Sequence, residues 1–130
     1  MCNYTLIRLF SLNILDINHR DCKGRNILYF AILNKKYEYI KILFDLRVNS
    51  RVNFSLNAIN FAVCLDDIKS LEILLKCGLS VDTLDEIGTS PLIYAILYNK
   101  KKSTEFLIKS GADLELEDFM GNCAKKMLQN

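Results

Sequence analysis

The sequence predicts an all-α solenoid, a stack of paired short helices whose successive pairs are joined by β-hairpin-like turns. Three observations predict it. Blocks of residues recur at a period close to 33, and matched positions carry residue types that start or stop helices. No block holds a helix long enough to stand alone. Self-similarity at this spacing marks repeat architectures. Isolated helices shorter than ~12–15 residues are marginal in water, so each pair must bury its apolar faces against its neighbours.

The period is read from Asp85, Gly88, Ser90, Pro91, Leu92 and Ala95, a unit that closes on Gly111, Ala112 and Asp113. A step of 33 forward lays Asp85 on Asp118 and Gly88 on Gly121. The same step backward lays Ala95 on Ala62, Leu107 on Leu74 and Gly111 on Gly78. A further step of 31 reaches Ala31 and Leu43, and the register recovers Asp21 and Gly24 where Asp85 and Gly88 stood.

In chain order, a half-repeat over 4–18 comes first. Its apolar positions Ile7, Leu9 and Phe10 match a second helix with no first helix before it. Repeat 21–51 opens on a polar tip at Asp21 and Gly24, then reaches Asn26, a strong helix N-cap. Its first helix holds Ala31, a polar break follows at Asn34, Lys35 and Lys36, and Ile40, Ile42, Leu43 and Phe44 mark the second helix. Arg47 stands where a terminating glycine belongs and the outgoing turn is two residues short, so a distorted hairpin is expected there. Repeat 52–84 has Val52 and Ser55 in place of the tip's Asp and Gly, and Ala58 and Ile59 in place of Pro-Leu. It keeps the cap as Asn57, a second helix with Leu71, Ile73, Leu74 and Leu75, and Gly78 as its stop.

Repeat 85–117 is the most regular. Ser90 caps its first helix and Pro91 sits at the first helical position, where a missing N–H costs nothing. Thr104, Phe106, Leu107 and Ile108 mark its second helix, and Gly111 ends it. The C-terminal half-repeat, 118–130, repeats the tip at Asp118 and Gly121, and Lys125, Lys126 and Gln129 suit a polar cap. The apolar N-terminal half-repeat leaves two readings open: an unusual packing, or descent from a longer repeat protein.

These units resemble the ankyrin family. Asp85, Gly88, Ser90, Pro91, Leu92 and Ala95 are similar to its D-x-x-G-x-T-P-L-H-x-A opening, and Leu107, Ile108, Gly111, Ala112 and Asp113 to its L-L-x-x-G-A-D closing. Asp16, Ile17 and Asn18, followed by Asp21 and Gly24, resemble the junction between two such repeats. The family's histidine is replaced by Tyr29, Asn60 and Ile93.

Composition narrows the function. A chain of 130 residues, 51% apolar and 25% charged, is a single folding domain with a real core. A formal net charge of +2 gives no electrostatic grip on nucleic acid or an anionic membrane. The N-terminal residues lack the regions of a signal peptide, and no run is long enough for a membrane span. Five scattered cysteines and one histidine, His19, provide no metal-ligand spacing. Free thiols suit a reducing compartment, so the expectation is an intracellular, cytoplasmic protein with no cofactor. No nucleophile–base set or glycine-rich phosphate loop is present, which argues against an enzyme. Asp66 and Asp67 read as helix-starting residues, and Lys100 to Lys102 as a solvated turn.

The resemblance implies binding of another protein through the turn tips and the concave face formed by the first helices. Matched tip positions hold Cys22 and Lys23, Asn53 and Phe54, Glu86 and Ile87, and Phe119 and Met120. The next positions hold Arg25, Leu56, Thr89 and Asn122, and Tyr98 ends the first helix of the regular repeat. Large apolar residues at tips (Phe54, Ile87, Phe119 and Met120) mark an interaction surface, since aromatics are enriched in binding hot spots. The expected binding residues are Lys23, Arg25, Asn53, Phe54, Leu56, Glu86, Ile87, Thr89, Tyr98, Phe119 and Met120, in a small adaptor or inhibitor. The alternative is a structural fragment that self-associates through Ile7 and Phe10 of the N-terminal half-repeat. Lysine outnumbers arginine, and isoleucine and asparagine are abundant. Abbreviated ankyrin proteins of this look, as in poxviruses and intracellular bacteria, imply a host-directed interaction.

Overall fold

The computed structural model describes residues 15–129, and among these it contains seven helices and no extended strand. They alternate short and long: α1 (Ile27–Leu33), α2 (Tyr37–Asp45), α3 (Ala58–Cys64), α4 (Ile68–Lys76), α5 (Pro91–Leu97), α6 (Lys101–Lys109) and α7 (Ala124–Leu128). The seven-residue helices α1, α3 and α5 pack side by side and α7 adds to α5, forming an inner layer. The nine-residue helices α2, α4 and α6 form an outer layer in the same order. The solenoid expected from the period is what the chain builds.

Start signals work as their chemistry requires. Side-chain oxygens of Asn26, Asn57 and Ser90 accept the N–H of Tyr29, Asn60 and Ile93, satisfying an orphan donor in the first turn of α1, α3 and α5. Asn26 also donates through Nδ2 to the carbonyls of Asn49 and Arg51, which ties the cap to the hairpin of the next repeat.

Stop signals are more varied than glycine alone. Gly78 and Gly111 adopt φ of +100° and +90° after α4 and α6. Arg47 takes the same left-handed conformation after α2, with φ of 66°. Its N–H reaches the Phe44 carbonyl at 2.9 Å and that of Val48 reaches Leu43 at 3.0 Å, the pattern seen at Gly78 and Gly111. The expected distortion of this hairpin is therefore not at its cap, and the antiparallel bridge between Arg51 and Asn57 is also kept. The shortened turn is absorbed at the second tip. Lys35, Asp66 and Asn99 end the inner helices in the same left-handed way.

The core lies between the layers. Leu28, Ile32, Ile40, Leu43, Ile59, Leu71, Leu74, Leu92 and Leu107 are fully buried there. The alanines at the matched inner position, Ala31, Ala62 and Ala95, are buried where neighbouring helices meet. Two polar contacts lock successive repeats at the edge away from the tips. Asp66 accepts both the N–H and the hydroxyl of Ser103, at 3.0 and 2.6 Å. Asp67 caps α4 at Ser70 and accepts the Tyr37 hydroxyl at 3.0 Å. The paired aspartates are structural, as their position at a helix start suggests.

Candidate protein-binding surface

Each regular tip is organised by one carboxylate. Oδ1 of Asp21 accepts the N–H of Lys23 and Arg25, both at 2.9 Å. Asp85 does the same for Ile87 and Thr89, and Asp118 for Met120 and Asn122. The backbone closes when the aspartate N–H meets the carbonyl four residues on. The third residue after each aspartate is Gly24, Gly88 or Gly121, with φ between +76° and +81°. Bonds to the charged form hold the carboxyls of Asp21 and Asp118 below the usual range. The N–H of Arg25 does most of this for Asp21, with its guanidinium adding, and the N–H of Asn122 leads for Asp118.

The second tip departs from this scheme. Val52 keeps the backbone closure to Leu56 at 2.9 Å but is buried, and Asn53 takes over the carboxylate's work. Its Oδ1 accepts from Ser55 at 2.9 Å and Leu56 at 2.8 Å. The organising side chain has moved one residue along. Phe54 thus follows it directly, as Phe119 follows Asp118 and Glu86 follows Asp85.

That shift corrects the grouping expected of the tip residues. Phe54 corresponds to Phe119 and Glu86, not to Ile87 and Met120. The three share a task, since each reaches back to the preceding tip. The Phe54 ring lies on Gly24, so close that a Cβ there would sit 2.5 Å from its Cε1. The Phe119 ring covers Gly88 in the same manner. Glu86, in the equivalent place, pairs with Arg51 at 2.6 Å. Only glycine gives the rings this approach.

The other predicted residues divide by environment. Ile87 and Met120 are 65% and 86% exposed and point their bulk to solvent. Lys23 is exposed, whereas Arg25 is half-buried, paired with Asp21 at 2.7 Å and laid over the Phe30 ring. Leu56 packs against the core and Thr89 is buried, so these two form the base of their tips and offer little to a partner. Tyr98 is 55% exposed and stacks on Tyr94, whose hydroxyl donates to Asp85 at 2.6 Å. Burial, then Asp85, pushes the Tyr94 phenol up, so it stays a neutral donor at physiological pH. Ile7 and Phe10, assigned to self-association, lie outside the described residues.

The inner helices add a row that the tip positions alone omit. Leu33, Leu65 and Leu97 are exposed at the ends of α1, α3 and α5, beside Tyr98. Phe30, which the sequence reading did not single out, is exposed on α1. It shares a register with Phe61 and Tyr94, a line of rings that the same period could have revealed. In place of the family's histidine, Tyr29 stacks on Phe61 at 4.5 Å, and Asn60 donates weakly to the Thr89 carbonyl at 3.5 Å.

A family model described as ankyrin repeats in three copies matches residues 45–118. The chain belongs to the ankyrin repeat family. Ankyrin repeats are in general protein–protein interaction modules rather than catalysts. Two relatives are similar to this ankyrin chain. A potassium channel of Arabidopsis thaliana, AKT2/3, is 30% identical over 99 residues, which cover 76% of this chain and 12% of the channel. A protein of Borreliella burgdorferi named for its ankyrin repeats is 31% identical over 113 residues, 79% of this chain and 50% of that protein. The chain thus spans half or less of the length of the relatives it matches. Neither relative is viral.

Proposed function

We propose that this ankyrin chain is a protein-binding module, acting as a small adaptor or inhibitor that occupies a partner's surface. The observation that carries the reading is the set of free apolar side chains at the two ends of the inner-helix layer. Ile87 and Met120 at the tips and Leu33, Leu65, Leu97 and Tyr98 on the inner helices are all exposed, while the core behind them is closed. Exposed apolar side chains grouped in this way mark interaction sites. Tyr98 is the best-placed anchor, because Tyr94 beneath it is fixed by Asp85 and a rigid aromatic loses little entropy on binding. The free thiols Cys22, Cys64, Cys77 and Cys123 support a reducing, cytoplasmic setting.

The test is affinity capture from cell extract with the chain and with an Ile87→Ser, Tyr98→Ser, Met120→Ser variant. All three positions are more than half exposed, so the variant should unfold at the same temperature as the parent. The expected result is a partner captured by the parent and lost with the variant. Equal capture by both would place binding elsewhere and overturn the reading.

A further inference from the structure

The edge of the stack opposite the tips combines two features. Its inner helices end in the exposed apolar row Leu33, Leu65, Leu97 and Tyr98, and a row of lysines follows within a few residues. Lys35 and Lys36 lie just past the end of α1, and Lys100, Lys101 and Lys102 follow α5. In the loop between them, Asp67 stands where Lys36 and Lys100 stand on either side, and Asp66 where Lys35 and Asn99 stand. Both carboxylates are engaged internally, Asp66 by Ser103 and Asp67 by Tyr37 and Ser70. Among the described residues, none of the five lysines has a carboxylate partner. Lys100 lies close to the second repeat as well. Burial pushes the Cys64 thiol at the end of α3 up, and the Lys100 ammonium opposes that rise. The lysines thus border the apolar row in the first and third repeats, with Lys100 also near the end of α3.

Their placement runs against local helix stability. Lys36 and Lys100 occupy N-cap positions with no side-chain cap, and Lys101 and Lys102 sit in the first turn of α6. Cations there oppose the helix dipole, which favours carboxylates at that end. Five unpaired positive charges in a chain of net charge +2 leave the rest of the molecule net negative.

We infer that this edge binds an amphipathic helix of another protein, one whose apolar stripe is flanked by Asp and Glu. The inference rests on the protein-binding reading above and names the partner's chemistry. Spacing fits such a ligand. Packed helices stand ~8–10 Å apart, and residues seven apart on a helix are separated by ~10 Å, so one heptad position meets each inner helix. Three inner helices span ~20 Å, the length of a helix of about 14 residues. The acidic flank then faces the lysine row, which sets orientation and partner choice more than affinity.

The probe is a labelled synthetic helix of about 18 residues with leucine at heptad spacing and glutamate along one flank, read by fluorescence anisotropy. A matched peptide carries lysine in place of glutamate. The glutamate peptide should bind at least about tenfold tighter, and the preference should shrink as salt rises. A Lys100→Glu, Lys101→Glu, Lys102→Glu variant should lose about tenfold for the glutamate peptide and gain for the lysine peptide. Glutamates in the first turn of α6 suit the helix dipole, so unfolding would not explain that loss.

Equal binding of the two peptides would overturn the inference. So would peptide binding that the lysine variant leaves unchanged, or a single-stranded oligothymidine that binds the lysine row more tightly than the glutamate peptide. If the lysine variant still captures the cellular partner that the Ile87, Tyr98 and Met120 variant loses, the binding module stands and the acidic helix falls.

Discussion

Arg47→Gly should stabilise this protein, and the size of the effect follows from its position in the fold. Arg47 ends α2 at φ of 66°, the place that Gly78 and Gly111 occupy after α4 and α6. A side chain in the left-handed region costs roughly 1–2 kcal/mol, because Cβ crowds the following carbonyl. Glycine removes that strain but adds freedom to the unfolded chain, worth about 0.5–1 kcal/mol in the opposite direction. Taken at their midpoints, the two leave a net gain of about 0.75 kcal/mol. Nothing else should change, since the Arg47 side chain is exposed and makes no ion pair among the described residues. Its backbone bonds to Phe44 and Asn18 do not depend on the side chain. Urea unfolding measures this directly. With a slope of about 2 kcal/mol per molar, the midpoint should rise by ~0.25–0.5 M with the slope unchanged. Gly78→Arg is the mirror experiment and should lower the midpoint by a similar amount. An unchanged or lower midpoint for Arg47→Gly, alongside a fall for Gly78→Arg, would refute the strain argument.

Two further outcomes are expected. Gly88→Ala and Gly121→Ala both place a side chain in the left-handed region, but only at Gly88 does the new methyl meet a ring, that of Phe119. Both should lower the urea midpoint, Gly88→Ala by more; Phe119→Ala should erase the difference, and equal costs in the parent background would show that the ring does not hold its place. The tips should also weaken in acid. Asp21 and Asp118 have folded pKa values below their unfolded ones, so the folded state binds fewer protons. Their contribution is complete above the ordinary carboxylate range and is lost as pH falls through the lowered folded values. Midpoints between about pH 6 and pH 2 should therefore fall less steeply in Asp118→Asn than in the parent, and parallel curves would contradict the assignment.

Much of this was legible because the signals are local. An N-cap needs a side-chain oxygen three residues before an orphan donor, and Asn26, Asn57 and Ser90 announce that in sequence. The tips around Asp21, Asp85 and Asp118 are equally local, each an aspartate bonding backbone two and four residues on. What stayed hidden depends on compensation or distance. Arg47 reads as a missing glycine, although a side chain can occupy the left-handed position for a modest penalty while the two capping bonds form anyway. Lys35, Asp66 and Asn99 do the same at the ends of the inner helices. Asn53 reads as an ordinary tip residue, because nothing local says that it replaces an aspartate one place earlier. Contacts such as Phe54 on Gly24 join residues 30 apart in the chain and appear only when repeats stack.

This one-residue shift bears on how the tips can act. If every large apolar tip residue faced solvent, the four would form one adhesive line. The structure instead gives Phe54 and Phe119 a second task, roofing the glycine of the tip before, so that each ring is exposed on one face and engaged on the other. A ring held in this way is preorganised, and a partner that packs on its outer face pays less side-chain entropy. Glu86 breaks the series, because its bridge to Arg51 puts a polar pair where the second and third tips meet. The tip line is therefore two aromatic roofs separated by a salt bridge, with Ile87 and Met120 standing free just before Gly88 and Gly121. A partner reading this surface would meet apolar contacts at the first-to-second and third-to-fourth junctions and a charged one between them. That alternation is a stronger basis for specificity than a continuous apolar ridge, because a ligand lacking a polar group at its centre would leave Arg51 and Glu86 desolvated.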